Sequence, residues 1–266
     1  QTAGNQSFGY CLGNKPGSGS KVMRIDYSND AATALERGLL GTEMGEATAS
    51  GNAEFGYVFG GIYGGSRLST THRVDYANDT AQAVPATSPA TNSPYTFGAA
   101  TTGNKHFSYT VGSLSGAGPG QDKSNVYRYD YANDTGASTP KGSLSFARND
   151  FAGATGSQSY GYFMGGTTYP TYYTSIDRIE YANDTATASP KGNLSLMIAG
   201  STGYRRAGGF SGQSNAFGGT PTAPSTTKLV DKGSDGYLTS TPYSYGPAHS
   251  YVVGGWRYGN ANATSN

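Results

Sequence analysis

The sequence predicts an all-β fold, a β-propeller of five or six four-stranded blades, and three observations carry that prediction. Two phrases recur at a period near fifty residues, each repeat holds several short strand-like runs separated by turn residues, and helical periodicity is almost absent. The first phrase is Phe55-Gly56-Tyr57-Val58-Phe59-Gly60-Gly61. It returns as Phe8-Gly9-Tyr10-Cys11-Leu12-Gly13, Phe107-Ser108-Tyr109-Thr110-Val111-Gly112 and Tyr160-Gly161-Tyr162-Phe163-Met164-Gly165-Gly166. The second is Arg73-Val74-Asp75-Tyr76-Ala77-Asn78-Asp79-Thr80, which returns from Arg24, Arg128 and Arg178. Its tyrosines, Tyr27, Tyr76, Tyr131 and Tyr181, lie 49, 55 and 50 residues apart.

Each repeat presents its signals in one order. A small-residue strand such as Phe151 to Gly156 comes first, followed by a Gly/Asn/Ser turn and the Tyr-x-x-Gly-Gly strand. A loop of variable length leads to the Arg-Ile-Glu-Tyr strand, an Asn-Asp turn and a weaker fourth strand of the Thr-Ala-Thr-Ala-Ser type. The repeats run 2–47, 48–98, 99–152 and 153–203, then a degenerate one over 204–242 and a partial one over 243–266, all within a single repeat domain. The degenerate repeat keeps Ala216-Phe217-Gly218-Gly219 and a strand-like Thr227 to Asp231, but its turn has become Lys232-Gly233-Ser234-Asp235-Gly236. The one helical alternative, Ala32 to Met44, is weakened by Gly38 and Gly41.

Four strands in fifty residues cannot bury both of their faces alone, so each copy must shield the next, as propeller blades do. The small residues suit innermost strands crowded around a centre. Alternation along the third strand puts Ile179 and Tyr181 on one face and Arg178 and Glu180 on the other, where charge pairs between or within blades are expected. A parallel β-solenoid is the competing repeat fold, with a shorter period and no need for hairpin turns.

Composition narrows the function classes. The net charge is +1, and charged residues make up 13% of the chain, about half the usual share. No basic block suggests a nucleic-acid surface, and no apolar run is long enough to span a membrane. Heavy use of glycine (41) and tyrosine (22), with abundant Ser and Thr, points to extracellular or virion-surface material. The single Cys11 cannot form an internal disulfide and reads as a small apolar strand residue. With Gln1 already inside a repeat and no signal peptide ahead of it, the chain is expected to be processed or a piece of something longer.

The Gly-Gly doublet after a Tyr-bearing strand, the variable loop, and the strand ending in acidic-Tyr resemble kelch repeats over residues 2–203, and poorly over 204–256. The resemblance departs where the usual aromatic after the second phrase is replaced by Thr-Ala or Gly-Ala, as at Thr187-Ala188. The longer phrase from Arg178 to Ser195, matched with substitutions by Arg128 to Ser145, is similar to repeats in tail-fibre-like virion proteins of aquatic tailed phages, the cyanophage type. That resemblance implies an extracellular structural or adhesive appendage, partnered by other subunits of its assembly and by host-surface glycans. It transfers no catalytic residue and no cofactor.

The turns at Asn29-Asp30, Asn78-Asp79, Asn133-Asp134 and Asn183-Asp184 set two acids four residues apart, far short of the six to eight oxygens calcium takes; a structural turn is the expected role. Asn78, Asn133 and Asn183 each begin an Asn-Asp-Thr sequon, a glycosylation site in a secreted or eukaryotic setting. His72, His106 and His249 are scattered, and neither zinc spacing nor a nucleophile-elbow motif occurs, so no catalytic or metal residue is assigned. The loops around Tyr63, from Ser113 to Asn125, and with Tyr169, Tyr172 and Tyr173 join equivalent strands, so they are the candidate ligand or partner loops. Trp256 is a candidate docking residue near the chain end. The expected protein is thus a non-enzymatic structural or adhesive one; a secreted filament-forming protein is the alternative, and a propeller enzyme the third reading.

Overall fold

The computed structural model describes residues 2–13, 20–29, 32–45, 47–86, 98–112, 123–149, 151, 153–168 and 171–194, together with the strands 208–211, 231–232, 237–238 and 250–253. Four antiparallel four-stranded sheets follow one another along the chain. Blade one is β1 (Thr2–Gly4), β2 (Phe8–Leu12), β3 (Lys21–Asp26) and β4 (Leu35–Leu39). Blade two is β5 (Thr48–Gly51), β6 (Phe55–Phe59), β9 (Thr71–Asp75) and β10 (Val84–Ala86), with the small hairpin β7 (Ile62–Tyr63) and β8 (Ser66–Arg67) between its second and third strands. Blade three is β11 (Ala100–Gly103), β12 (Phe107–Val111), β13 (Asn125–Asp130) and β14 (Thr139–Ser143). Blade four is β15 (Gly153–Gly156), β16 (Tyr160–Met164), β19 (Ser175–Glu180) and β20 (Ser189–Asn193), again with a hairpin, β17 (Thr167–Thr168) and β18 (Thr171–Tyr172). The first strands β1, β5, β11 and β15 lie side by side in sequence, the arrangement of a β-propeller with small residues innermost.

Each first hairpin is closed by one polar side chain. Asn5 Oδ1 accepts from the N–H groups of Ser7 and Phe8, Asn52 from Glu54 and Phe55, Asn104 from His106 and Phe107, and Ser157 Oγ takes the same place in blade four. The Gly-Gly doublet then turns the chain out of the second strand. Gly60 and Gly61 have φ of 60° and 103°, Gly165 and Gly166 of 65° and 107°, a region costly for any side chain. Buried aliphatic and aromatic residues fill the spaces between neighbouring blades: Tyr10, Leu12, Val22, Leu40 and Val74 in one cluster, Tyr109, Val111, Phe151, Phe163 and Ile179 in another.

Two expectations need correction. The fourth strand does not lie on the Thr-Ala-Thr-Ala-Ser run but begins at its end, at Thr139 and Ser189, because the Thr-Ala residues remain in the turn and lie against the preceding blade. Its prolines, Pro140 and Pro190, are tolerated because it is the outer edge strand. The blade count also differs. Four complete blades are present among the described residues, not five or six; beyond Leu194 the described residues form two two-stranded sheets, β21 (Gly208–Ser211) with β24 (Ser250–Val253) and β22 (Asp231–Lys232) with β23 (Tyr237–Leu238). The strand expected to open a sixth repeat is instead paired with one from the fifth. Ala32 to Met44 carries β4 rather than a helix.

Glycine in the outer strand has a seam to fit. Gly38 N–H donates to the Asp79 carbonyl of the next blade at 2.7 Å, and Gly142 N–H to the Asp184 carbonyl at 2.8 Å. A Cβ at Gly38 would sit 2.0 Å from the Ala81 carbonyl oxygen, and one at Gly142 2.0 Å from that of Ala186. Gly142→Ala therefore overpacks backbone against backbone and is expected to destabilise the fold by about 1–3 kcal/mol, read as a lower urea midpoint at unchanged slope.

Candidate functional site

The chain's repeated chemistry is concentrated at the seams between blades. After the third strand of blades two, three and four comes a single 3-10 turn, Tyr76–Asn78, Tyr131–Asn133 and Tyr181–Asn183. Asp75 and Asp130 cap theirs by accepting from the N–H groups of Ala77 and Ala132, both at 2.9 Å; Glu180, one methylene longer, makes no such bond. The aspartate that ends each turn has right-handed backbone angles, φ −72° at Asp79 and Asp134 and −73° at Asp184. Its carboxylate does not serve the turn. It reaches back to the preceding blade.

At the first seam Asp79 is 3% exposed and accepts from Tyr10 Oη at 2.8 Å, Arg24 Nη1 at 2.8 Å and Arg37 Nε at 2.7 Å, all from blade one. Asp134 meets Tyr57 Oη at 3.3 Å and pairs with Arg73. Asp184 meets Tyr109 Oη at 3.0 Å, Arg128 Nη1 at 2.9 Å and Lys141 Nζ at 3.3 Å. The same tyrosines stack face to face on the tyrosines of the next turn: Tyr10 on Tyr76 at 4.6 Å, Tyr57 on Tyr131 at 5.0 Å, Tyr109 on Tyr181 at 4.6 Å. Each arginine also lies over an aromatic ring of its own second strand, Arg24 on Phe8, Arg73 on Phe55 and Arg128 on Phe107.

Alternation places Arg178 and Glu180 together on one face of β19, but the charge pairs of the other blades join such an arginine to the next blade's turn aspartate, not to the acid beside it. A further buried pair was not legible in the repeat phrases. Arg148 and Asp177, neither exposed, meet at 3.1 Å, and Asp177 also accepts from Ser145 N–H at 2.9 Å and Ser145 Oγ. Burial pulls the Arg148 guanidinium below its usual value, and the Asp177 carboxylate works against that shift. Between blades one and two His72 stands in for Asp177, accepting from Gly41 N–H at 2.9 Å, and burial holds its imidazole below the ordinary value.

The remaining sequence-selected residues fall as follows. Tyr63 ends β7 and is 51% exposed. Tyr172 is partly buried in β18, and Tyr173 packs edge-on against Phe146 at 4.6 Å. Asn78, Asn133 and Asn183 point outward with Thr80, Thr135 and Thr185, all exposed. Asn29 is exposed in the blade-one turn. Cys11 is partly buried in β2. Asp30, Tyr169, Trp256, His249 and most of the Ser113 to Asn125 loop lie outside the described residues. Among the described residues no group of three or more His, Cys, Asp or Glu side chains converges, and no helix is long and apolar enough to cross a membrane.

Burial pushes the Asp79 carboxyl up, but the hydrogen bonds from Arg37, Tyr10 and Arg24 outweigh it and hold the group below its ordinary value. A depressed folded value means the stabilisation is complete above the unfolded value of about 4 and is lost as pH falls through the folded one. Asp79→Asn is expected to cost about 3–5 kcal/mol, leaving two cations facing a neutral amide, and to flatten the loss of stability below about pH 4. Asp134→Asn, at the seam whose carboxylate is 18% exposed, should cost less. Urea titrations at a series of pH values measure both effects.

No protein-family profile and no curated protein matches the chain. Among solved structures that of YjhT is similar, with a TM-score of 0.59 and 14% sequence identity over 78% of this chain and 68% of that one. At that identity the likeness concerns the fold alone, and the fold it supports is the β-propeller.

Proposed function

We propose that this chain is a non-enzymatic extracellular protein with structural and adhesive roles, a virion appendage of the tail-fibre or surface-decoration kind, and that it binds host-surface glycan through the loops following its Gly-Gly doublets. The observation that carries the reading is the placement of Tyr63. It ends β7 in a two-residue hairpin whose Gly64 and Gly65 both have positive φ, and half its surface is open to solvent on a rigid scaffold. The β17–β18 hairpin, bearing Tyr172, occupies the equivalent connection of blade four. A flat ring presented at a loop tip suits stacking on a sugar face. The kelch-like phrases and the likeness of the Arg178 to Ser195 phrase to phage virion repeats support the same assignment.

One observation favours a second reading, a secreted structural or filament-forming protein carrying glycans of its own. In the three Asn-Asp-Thr sequons the asparagine and the threonine are exposed while the intervening aspartate is turned into the seam, which leaves each acceptor amide accessible.

Glycan arrays and host-envelope extracts probed with the purified chain test the first reading. Binding is expected, and Tyr63→Ala should weaken it roughly fivefold to tenfold without lowering Tm; no binding to any glycan or extract overturns the adhesive role. Intact mass of the native protein separates the two readings. The bare polypeptide mass is expected, and an excess of several hexose units overturns the virion assignment in favour of the secreted one.

A further inference from the structure

The connection that leads from one blade into the next is pinned to it by a buried acceptor, and two such pins differ in one chemical respect. Leu40 and Leu144 are equivalent, each N–H donating to the carbonyl just before its own third strand, Ser20 and Ser124. The next residue donates its N–H across the seam: Ser145 to the Asp177 carboxylate and Gly41 to His72 Nδ1, both at 2.9 Å. Asp177 and His72 hold the same place, one residue before Arg178 and Arg73 on the third strands. Arg148 balances Asp177 from the connection, but Met44 stands in its position in the first one. The imidazole therefore has no ion partner among the described residues.

A neutral imidazole that accepts at Nδ1 carries its proton on Nε2. A second proton turns Nδ1 into a donor facing the Gly41 N–H, and the bond is lost. His72 is 3% exposed, so the cation also forfeits hydration. The charged groups on the surrounding elements are committed elsewhere. From blade one, Arg24 and Arg37 bind Asp79 together with the Tyr10 hydroxyl, and Lys21 pairs with Glu36. In blade two, Arg73 and Tyr57 turn to Asp134, Asp75 caps its turn, and β10 carries no charged residue. Glu43, partly buried in the connection itself, has a partner of its own.

The same connection anchors a loop. Four residues after Gly41, Gly45 exchanges two backbone hydrogen bonds with Ile62, at 3.0 and 2.6 Å, and Ile62 opens β7, whose other residue is Tyr63. We propose that His72 is a proton switch: mild acid breaks the bond from Gly41, frees Gly41 to Gly45 from blade two, and loosens the β7–β8 hairpin that presents Tyr63. A role in releasing glycan rests on the adhesive reading; the loosening itself does not. Burial lowers the folded value of the imidazole, so the stabilisation is complete above the unfolded value of about 6.5. It is lost as pH falls below that toward the folded value. Asp79, held below the ordinary carboxylate value, titrates in a more acidic window.

Amide hydrogen exchange of the full chain at about pH 7.5 and about pH 5, corrected for intrinsic rates, tests the switch. It uses no ligand, so its outcome is separate from whether Tyr63 binds glycan. Protection over residues 41–45 and 62–66 should fall about tenfold at the lower pH. Roughly thirtyfold is the ceiling for an open state that takes the proton near 6.5 and a closed state that does not. Residues 145–149 and 167–168, pinned through Asp177, should keep their protection. His72→Asn, whose amide oxygen accepts without titrating, should remove the difference. Should that variant fold poorly, the wild-type His72 ring resonance should titrate in step with the lost protection. Equal loss at both seams, no loss over 41–45, or a loss there that leaves 62–66 protected would each overturn the switch. So would a difference that persists in His72→Asn or runs out of step with the His72 titration.

Discussion

The structure depends on a carboxylate that cannot be satisfied within its own repeat. Asp79 is carried out of water by the turn that holds it, and an ionised carboxylate in that position is tolerable only when donors fill its lone pairs. The donors are a phenol and two guanidinium groups from the blade before. Folding of a blade is thereby made conditional on its predecessor being present and in register. A hydrophobic seam of the same area would hold the blades together but would tolerate sliding. The forked arginine and the tyrosine hydroxyl do not, because a displacement of one residue turns the strand's side chains to the opposite face.

The backbone meets across the same line. The outer strand of a propeller blade presents unpaired N–H and C=O groups, the kind of edge that invites association with other chains. Here part of that edge is consumed by the next blade: Gly38 donates to the Asp79 carbonyl and Leu39 accepts from Ala83, a pattern repeated by Gly142 and Ser143 with Asp184 and Ala188. Such backbone bonds need close approach, which explains a glycine in a strand whose other positions hold arginine, lysine or leucine. Ala83 and Ala188 are buried under the neighbouring strand. The small side chain lets the backbones touch, so the seam is held by hydrogen bonds and by the stacked tyrosines.

Much of this was legible from the sequence because it is local. The period, the Tyr-x-x-Gly-Gly strand, the turn after Arg-Ile-Glu-Tyr and the alternation that buries Ile179 all follow from spacing within a repeat. What could not be read is what joins one repeat to the next. The acid nearest to Arg73 in sequence is Asp75, and nothing in the pattern says that its partner is instead Asp134, in the following repeat. Pro140 and Pro190 argue against a strand until the sheet order is known, since only an edge position excuses them. The strand phrases beyond Gly203 alone overstate the number of complete blades, and Lys232 stands where four other turns place tyrosine.

The Asn-Asp dipeptide divides its work between the two sides of the molecule, and this division separates architecture from recognition. The aspartate reaches into the seam and bonds the blade before it; the asparagine beside it is exposed. The same separation holds along the repeat. In blade two the second strand supplies the seam tyrosine Tyr57 and is followed by two glycines of positive φ, as β16 is by Gly165 and Gly166, and the residues immediately after them belong to the small hairpins. β7 and β17 are themselves bridged to the segment that leads in from the preceding blade, Ile62 with Gly45 and Thr167 with Asn149, so in blade two the part free to vary is the tip from Tyr63 to Ser66. A scaffold so arranged can alter what that tip presents without altering how its blades pack, which is the property a binding surface built on repeats requires.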